Sequence, residues 1–497
     1  MKKYLAILLG VVFVLGFAAS AFAIHAEIPA ETQAVVATGG TQITIGGDIR
    51  IRGEYQSNTT IPSPLVFPNA TTINGFQSGT FDHPTFYDQR IRLSVDAKVT
   101  PNTEGFVMIE ATNGKTSTGY NWGGQAGTSP GTTAGPSNGA GGIYQFGDSK
   151  RAELNILEAW ILYKGSGLLG IPAGIKVGHM PLALGNKLFF DHTLFGDDAI
   201  VLFADPTKEM HITLLTAKFM EASTARNDDA NAYVGIFDYR TKEFGVSFDV
   251  TYVDHQNSFY SGNGTDLPAG AFLPGSDAHL WNFGVRGDVT LLKALNIYAD
   301  LEGQTGKIED ATLAAGPTPL QNEKFKGYAI LVGASYKLDP VKFLLEWGYG
   351  SGDDNPTDGS FKEFVTSLSP YQRDTYIYNY RVVGAGNIAG IPVENAGLSN
   401  TNRIRFGIDA DLTKELFANV TYYYLHANKL TPNMTAAGAN HTVGSEVDWL
   451  FKYKIDKNLT YYVEGGYLFA GNFYKVVTSG NVVDNAWAIR NGLQLTF

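Results

Sequence analysis

The chain has 497 residues, with 37 lysines and arginines against 48 aspartates and glutamates and no cysteine. A net charge of −11 argues against nucleic acid as a partner. The missing thiols exclude disulfides, thiolate metal sites, c-type haem and lipid attachment through a cysteine, so a chain of this length has to be held by its own sheet or core.

At the N-terminus Lys2 and Lys3 precede an apolar run from Leu5 to Phe17, and Ala21-Phe22-Ala23 offers the small residues a signal peptidase needs. This predicts a secretory signal over 1–23, cut after Ala23, followed by a periplasmic lead-in over 24–41. The apolar run is about thirteen residues, short of the roughly 20 that a spanning helix requires. No later stretch approaches 18 uninterrupted apolar residues, which leaves a closed β-barrel as the way to cross a membrane.

From Gln42 the chain alternates with period two. In the first strand, Gln42 to Tyr55, Ile43, Ile45, Ile49 and Ile51 share one face, which puts Asp48, Arg50, Arg52 and Glu54 on the other. The next strand repeats the pattern, with Ile91, Leu93, Val95 and Val99 outward and Arg90, Arg92, Asp96 and Lys98 inward. Further inward charges are Arg286 with Asp288, Asp300 with Glu302, Arg403 and Arg405 with Asp409 and Asp411, and Glu446 and Asp448 with Lys452 and Lys454. The last strand, Asp484 to Phe497, sets Trp487, Ile489, Leu493, Leu495 and Phe497 against Arg490, Gln494 and Thr496. Opposite charges on facing strands predict lateral pairs and a transverse field across the lumen.

Tyr55, Trp281, Tyr336, Trp347, Tyr349, Trp449, Tyr453, Tyr467 and Trp487 fall in the outward register near strand ends, suiting rings at headgroup depth, whereas Tyr298 and Tyr462 fall inward. The connections alternate short and long. Tight ones such as 100–103, 205–207, 240–242, 338–340, 413–415 and 456–458 carry turn chemistry or charge; the Gly/Pro/Ser/Asn-rich ones run over 57–85, 114–150, 256–277, 307–322 and 353–400. The prediction is an all-β, transmembrane antiparallel barrel of about 18 strands over 42–497, with both termini periplasmic and the long loops extracellular. The segment from Asp374 to Gly384 alternates Tyr376, Tyr378 and Tyr380 but belongs in a loop, because pairing it would break strand parity.

Enzymatic and metal chemistry find little support. Asp353, Asp354 and Asp358 lack EF-hand spacing and read as a solvated loop; His179, His192 and His211 are scattered; no nucleophile, base and orienting group come together. No enzyme activity, cofactor or metal is expected.

Three segments resemble the alginate export family of outer-membrane porins. They are Gly174-Ile175-Lys176-Val177-Gly178-His179-Met180-Pro181, Gly350-Ser351-Gly352-Asp353-Asp354-Asn355-Pro356-Thr357-Asp358-Gly359, and Gly444 to Tyr474 with its Glu446-Val447-Asp448 start. The resemblance implies an outer-membrane barrel of about eighteen strands that exports a polyuronate through a cationic pore. His179 stands where the family has arginine, and the inward acids nearly balance the inward bases, so weak or slightly cationic selectivity is expected. The closing Phe497 also resembles the signal read by outer-membrane barrel-assembly machinery. The expected function is a porin or export channel in the bacterial outer membrane, bathed in lipid and passing small hydrophilic or oligosaccharide-like solutes by passive diffusion. The expected wall residues are Asp48, Arg50, Arg52, Glu54, Arg90, Arg92, Asp96, Lys98, Arg286, Asp288, Asp300, Glu302, Arg403, Arg405, Asp409, Asp411 and Arg490. The alternative is a loop-plugged barrel acting as a receptor or scaffold for periplasmic or surface partners.

Overall fold

The computed structural model describes residues 34–38, 40–59, 85–112, 120–121, 153–167, 170–221, 229–255, 277–309, 322–355, 358–366, 374–382, 387–388, 391–392, 397–476 and 484–497. The predicted signal over 1–23 lies outside them. Eighteen strands make the wall. The first nine are β1 (Thr41–Ser57), β2 (Thr85–Thr100), β3 (Thr103–Thr112), β4 (Glu153–Gly165), β5 (Ala173–Met180), β6 (Asp197–Ala204), β7 (Met210–Met220), β8 (Ala230–Arg240) and β9 (Phe244–His255). The second nine are β10 (Asp277–Leu291), β11 (Leu295–Glu309), β12 (Tyr328–Leu338), β13 (Val341–Gly350), β14 (Thr401–Asp411), β15 (Leu416–Ala427), β16 (Thr442–Asp456), β17 (Leu459–Ala470) and β18 (Ala486–Thr496).

Each wall strand pairs antiparallel with the next. β18 closes the ring on β1, from Asp48 opposite Thr496 to Ser57 opposite Trp487. Closure removes the sheet edge, so every wall strand finds ladder partners on both sides. At the seam the last residue joins in, with Phe497 N donating to Gly47 O at 3.0 Å and Gly47 N to Phe497 O at 2.7 Å. Within the stretch expected as lead-in, Ala34–Thr38 folds back as a short hairpin strand on Thr41–Ile45.

Alternation fixes the two faces. Ile156, Ile161, Leu214, Leu345 and their neighbours stand exposed around the outside, far more apolar surface than a water-soluble fold leaves open. On one rim the turns are tight and made by side chains. Thr207, Thr241 and Thr413 each accept two backbone N–H bonds through Oγ1, from residues two and three positions on, at 3.0–3.3 Å. The turn between β10 and β11 has no Gly, Pro, Asn, Asp, Ser or Thr among Leu292, Lys293 and Ala294. Leu292 and Lys293 adopt φ of 52° and 60° there, which neither side chain favours.

Connections on the other rim are long, and among the described residues those over 181–196 and 374–382 pack inward against the wall. The 181–196 loop buries Leu184, Leu188, Phe189 and Phe190 against Val234, Val253, Leu280 and Ile308 of the wall and Phe361, Phe364 and Val365 of the 351–400 connection. Tyr376, Ile377, Tyr378 and Val382 pack on Leu425, Leu468, Ala486 and Ala488 together with Met434, Phe473 and Tyr474. Residues 374–382 thus lie in a loop, as expected.

Candidate functional site

A cavity of about 460 Å³ is framed by β1, β2 and β14–β18 on one side and by loop residues 187–194 and 374–380 on the other. Arg50, Arg52, Arg90, Arg405 and Arg490 from the wall and Lys187 from the loop supply its positive charge. Asp191, Asp374, Asp409 and Asp448 are the acids on its surface, and Phe417, Tyr423, Tyr376 and Tyr380 bring rings to it. Lys187 pairs with Asp191 at 3.2 Å across one turn of the loop.

Arg50, Arg52, Arg90, Arg403 and Arg490 are buried, which they tolerate only because each meets an acid on a neighbouring strand. Arg52 Nε donates to Asp88 at 2.6 Å, Arg90 Nη2 to Asp48 at 2.8 Å, and Arg490 to Glu464. Arg403 bridges Glu346 at 2.7 Å and Asp374 at 2.5 Å, tying the wall to the inserted loop. Arg405 is held more loosely, with the nearest acid oxygen among the described residues on Glu346 at 3.9 Å.

The inserted segment 374–382 is fixed from two sides. Glu446 accepts Ile377 N at 2.6 Å and Tyr378 N at 2.9 Å, and Asp448 accepts Tyr376 N at 3.0 Å. At its other end Arg381 Nε donates to Glu54 at 2.7 Å, with its guanidinium 3.7 Å from the Tyr376 ring centre and 4.1 Å from that of Tyr380. Burial opposes the charge on Arg381, but Glu54 and the rings outweigh it and hold the guanidinium more firmly protonated than usual. Burial pushes the Tyr376 phenol well up, so this ring stays neutral. The wall leaves room for the segment at Gly466, where a Cβ would stand 2.9 Å from Ile377 and 3.1 Å from Tyr376.

The seventeen residues expected on the wall fall into three places. Arg50, Arg52, Arg90, Arg405, Asp409 and Arg490 border the cavity, and Asp48, Glu54 and Arg403 pair directly behind it. Arg92 sits beside them, bound to Glu110 at 2.5 Å. Across the barrel, Arg286 gathers Asp249 at 2.5 Å, Asp300 at 3.3 Å and Glu302 at 2.8 Å. Asn186 N donates to Asp300 at 3.0 Å, and Gly185, at φ 49°, lies so close to Arg286 that a Cβ would run into the guanidinium. Near the tight-turn rim, Asp96 and Lys98 are 3.9 Å apart, Asp288 meets Arg240 at 2.9 Å, and Asp411 is exposed.

Several contributors escaped the sequence. Asp88 and Glu346 obey the same alternation as their partners and were legible from it. Tyr423 was hidden in the run Tyr422-Tyr423-Tyr424, in which the outer two face out and the middle one is buried. Lys187, Asp191, Asp374, Tyr376, Tyr380 and Arg381 sit on loops, where no period marks direction. Among the described residues no group of three His, Asp or Glu side chains is arranged to hold a metal ion.

A family model described as alginate export matches residues 90–488. Among solved structures, the chain is similar to OccK9 (OpdG) of Pseudomonas aeruginosa, with 11% identity, a TM-score of 0.51, and coverage of 91% of this chain and 98% of that one. OccK5 (OpdH) of the same bacterium matches at 11% identity and TM-score 0.48, covering 91% and 98%. The outer-membrane channel DcaP of Acinetobacter baumannii matches at 11% identity and TM-score 0.41, covering 93% and 99%. No curated protein matches the sequence.

Proposed function

The chain belongs to the alginate export family and is a porin-type channel of the bacterial outer membrane, and on that premise we propose that it passes small hydrophilic, oligosaccharide-like solutes by passive diffusion through the cavity beneath the inserted loops. The observation that carries this reading is the cavity itself. Its surface combines charged groups of both signs with ring faces, the mixture that hydroxyl- and carboxylate-bearing sugars can meet with hydrogen bonds and stacking. The wall residues from Asp48 to Arg490 are its proposed lining and immediate support.

Selectivity follows from distance. Six cations face four acids on the cavity surface, which favours anions at short range. Asp48, Asp88, Glu54, Glu346 and Glu464 pair with those arginines or their neighbours. They lie inside the screening distance of roughly 8–10 Å at ordinary salt, so an ion in the path feels them too. The open pore is therefore weakly selective rather than strongly anionic, unlike a conduit built for a polyanion.

The test is a planar-bilayer recording of the full barrel, with the reversal potential measured across a tenfold salt gradient. Neutral and uronate oligosaccharides of equal length are then added as competitors. Weak selectivity and block by both classes support the reading, and a strong anion preference with block by the uronate alone replaces it with polyuronate export. Complete absence of current supports the second reading, a plugged receptor or scaffold, which the two apolar cores under the inserted loops favour.

A further inference from the structure

On the long-loop rim, two connections are stitched together above the end of β11. Glu323–Phe325 pairs antiparallel with Gly306–Ile308 and parallel with Ser360–Phe361 of the 351–400 connection. Lys324 N donates to Gly359 O at 3.2 Å and Lys326 N to Phe361 O at 2.8 Å. Gln304 clamps the same seam, donating to Val365 O at 2.6 Å and accepting Val365 N at 2.9 Å, while Phe325 and Phe361 meet edge to face at 5.9 Å.

One group does not fit. Glu323 is 1% exposed, and among the described residues neither carboxylate oxygen has a hydrogen-bond donor. The charged groups facing it are Asp353, Asp358 and Lys362. Lys362 is committed elsewhere, its Nζ to Asp358 and its backbone N to Asp353 at 3.0 Å. Both aspartates also accept loop amides, Asp353 that of Asn355 at 2.9 Å and Asp358 that of Ser360 at 3.0 Å. Among the other charges on the packed elements, Lys307 and Glu309 pair with each other beside Ile308, Lys326 donates to Ser360 at 2.7 Å, and Lys324 is on the exposed face of its strand. A buried carboxyl without a donor, beside two like charges, is stable only when it carries its own proton.

We propose that Glu323 is a proton-operated clasp: protonated, it seals the seam between the 310–327 and 351–400 connections, and ionised, it releases them. Burial first, and then Asp353 and Asp358, push its carboxyl up to about 7 in the sealed seam. In an opened seam, water returns it to the ordinary carboxylate range near 4.5. The sign follows from linkage: the seam is strongest below about pH 4.5, weakens as pH rises to about 7, and is flat beyond. Between pH 5.5 and 8 the opening constant should rise roughly thirtyfold. Opening frees Phe361, Phe364 and Val365 from the apolar core that also holds the 181–196 loop, so the mouth loosens at neutral and alkaline pH.

The experiment is hydrogen exchange on the full barrel, reading the Lys324 and Lys326 amides from pH 5.5 to 8 after correction for intrinsic exchange. Wild type should show the thirtyfold rise, and Glu323→Gln should hold the amides equally protected throughout. An independent variant, Asp358→Asn, keeps Glu323, removes one facing charge and frees Lys362, so the midpoint should fall by about one pH unit or more. A flat wild-type profile, the same rise in Glu323→Gln, or an unmoved midpoint in Asp358→Asn each overturns the proposal. None of these readouts depends on the solute or on conduction.

Discussion

Replacing Glu446 with alanine should undock residues 374–382 from the wall and widen the cavity. The fully buried Glu446 carboxylate takes two backbone amides, Ile377 N at 2.6 Å and Tyr378 N at 2.9 Å. Bonds of this kind to a charged acceptor contribute about 1.5–3 kcal/mol each, so roughly 3–6 kcal/mol of docking is lost. Part of that is offset, because among the described residues no lysine or arginine pairs with Glu446, and removing an unpaired buried charge relieves several kcal/mol of desolvation. The net is on the order of 2 kcal/mol, or about a thirtyfold shift toward the undocked segment, with Arg381–Glu54 and Asp374–Arg403 still holding its ends. Gly466→Val attacks the same contact from the wall, its side chain running first into Asp448 at 2.5 Å, the acceptor of Tyr376 N, and then into Ile377 and Tyr376, while Glu446 itself is kept. Both variants should raise single-channel conductance and expose a cysteine placed at Ile377, which is fully buried in the docked state. Unchanged conductance and an unreactive Ile377→Cys in both backgrounds, with the barrel intact, would refute the role given to this segment.

Two further outcomes concern topology and assembly. If the long connections face outward from the cell, an impermeant label on intact cells should reach cysteines placed at Gly135, Gly264 and Gly390 but not at Pro206 or Asp456; labelling of the Pro206 turn would invert the barrel. Phe497→Ser keeps the backbone pair with Gly47 but removes the ring that lies against it, so assembled, heat-modifiable barrel should fall while export to the periplasm continues. Normal barrel levels would remove Phe497 from the assembly signal.

The wall was legible because a lipid-facing strand has only two directions for a side chain, and a single run such as Ile43, Ile45, Ile49 and Ile51 fixes both. Parity did the rest, keeping Tyr376, Tyr378 and Tyr380 in a loop despite their alternation. The lumen was legible only as far as the strands reach into it. Lys187 and Arg381 were out of reach, because a loop residue's direction is set by tertiary contacts such as Glu54 accepting from Arg381, and those have no local period. The β10–β11 turn, not named from the sequence, was illegible for a different reason: Leu292 and Lys293 occupy left-handed backbone that turn rules assign to Gly, Asn or Asp, so the strand pairing imposes the turn rather than the turn residues directing the pairing.

Charge in this barrel serves two ends that compete. Buried lateral pairs such as Arg52–Asp88 and Arg90–Asp48 make the wall's inner face compatible with packing, but each pair spends a cation that a solute could otherwise meet. A channel needs groups that can exchange partners, and these are the ones whose geometry is slack. Arg405, about a third exposed and 3.9 Å from Glu346, has that slack, and Lys187, about half exposed, holds Asp191 at 3.2 Å only through a solvent-exposed pair of the kind worth little. Arg490, bound by Glu464 and Glu54 and close to the rings of Tyr376 and Tyr380, is among the most committed. A solute acid group would therefore engage the cavity between wall strand β14 and the inserted 181–196 loop first, where exchanging partners disturbs the fewest buried pairs. Passage stays possible for the same reason: groups held this loosely bind weakly enough to release what they bind.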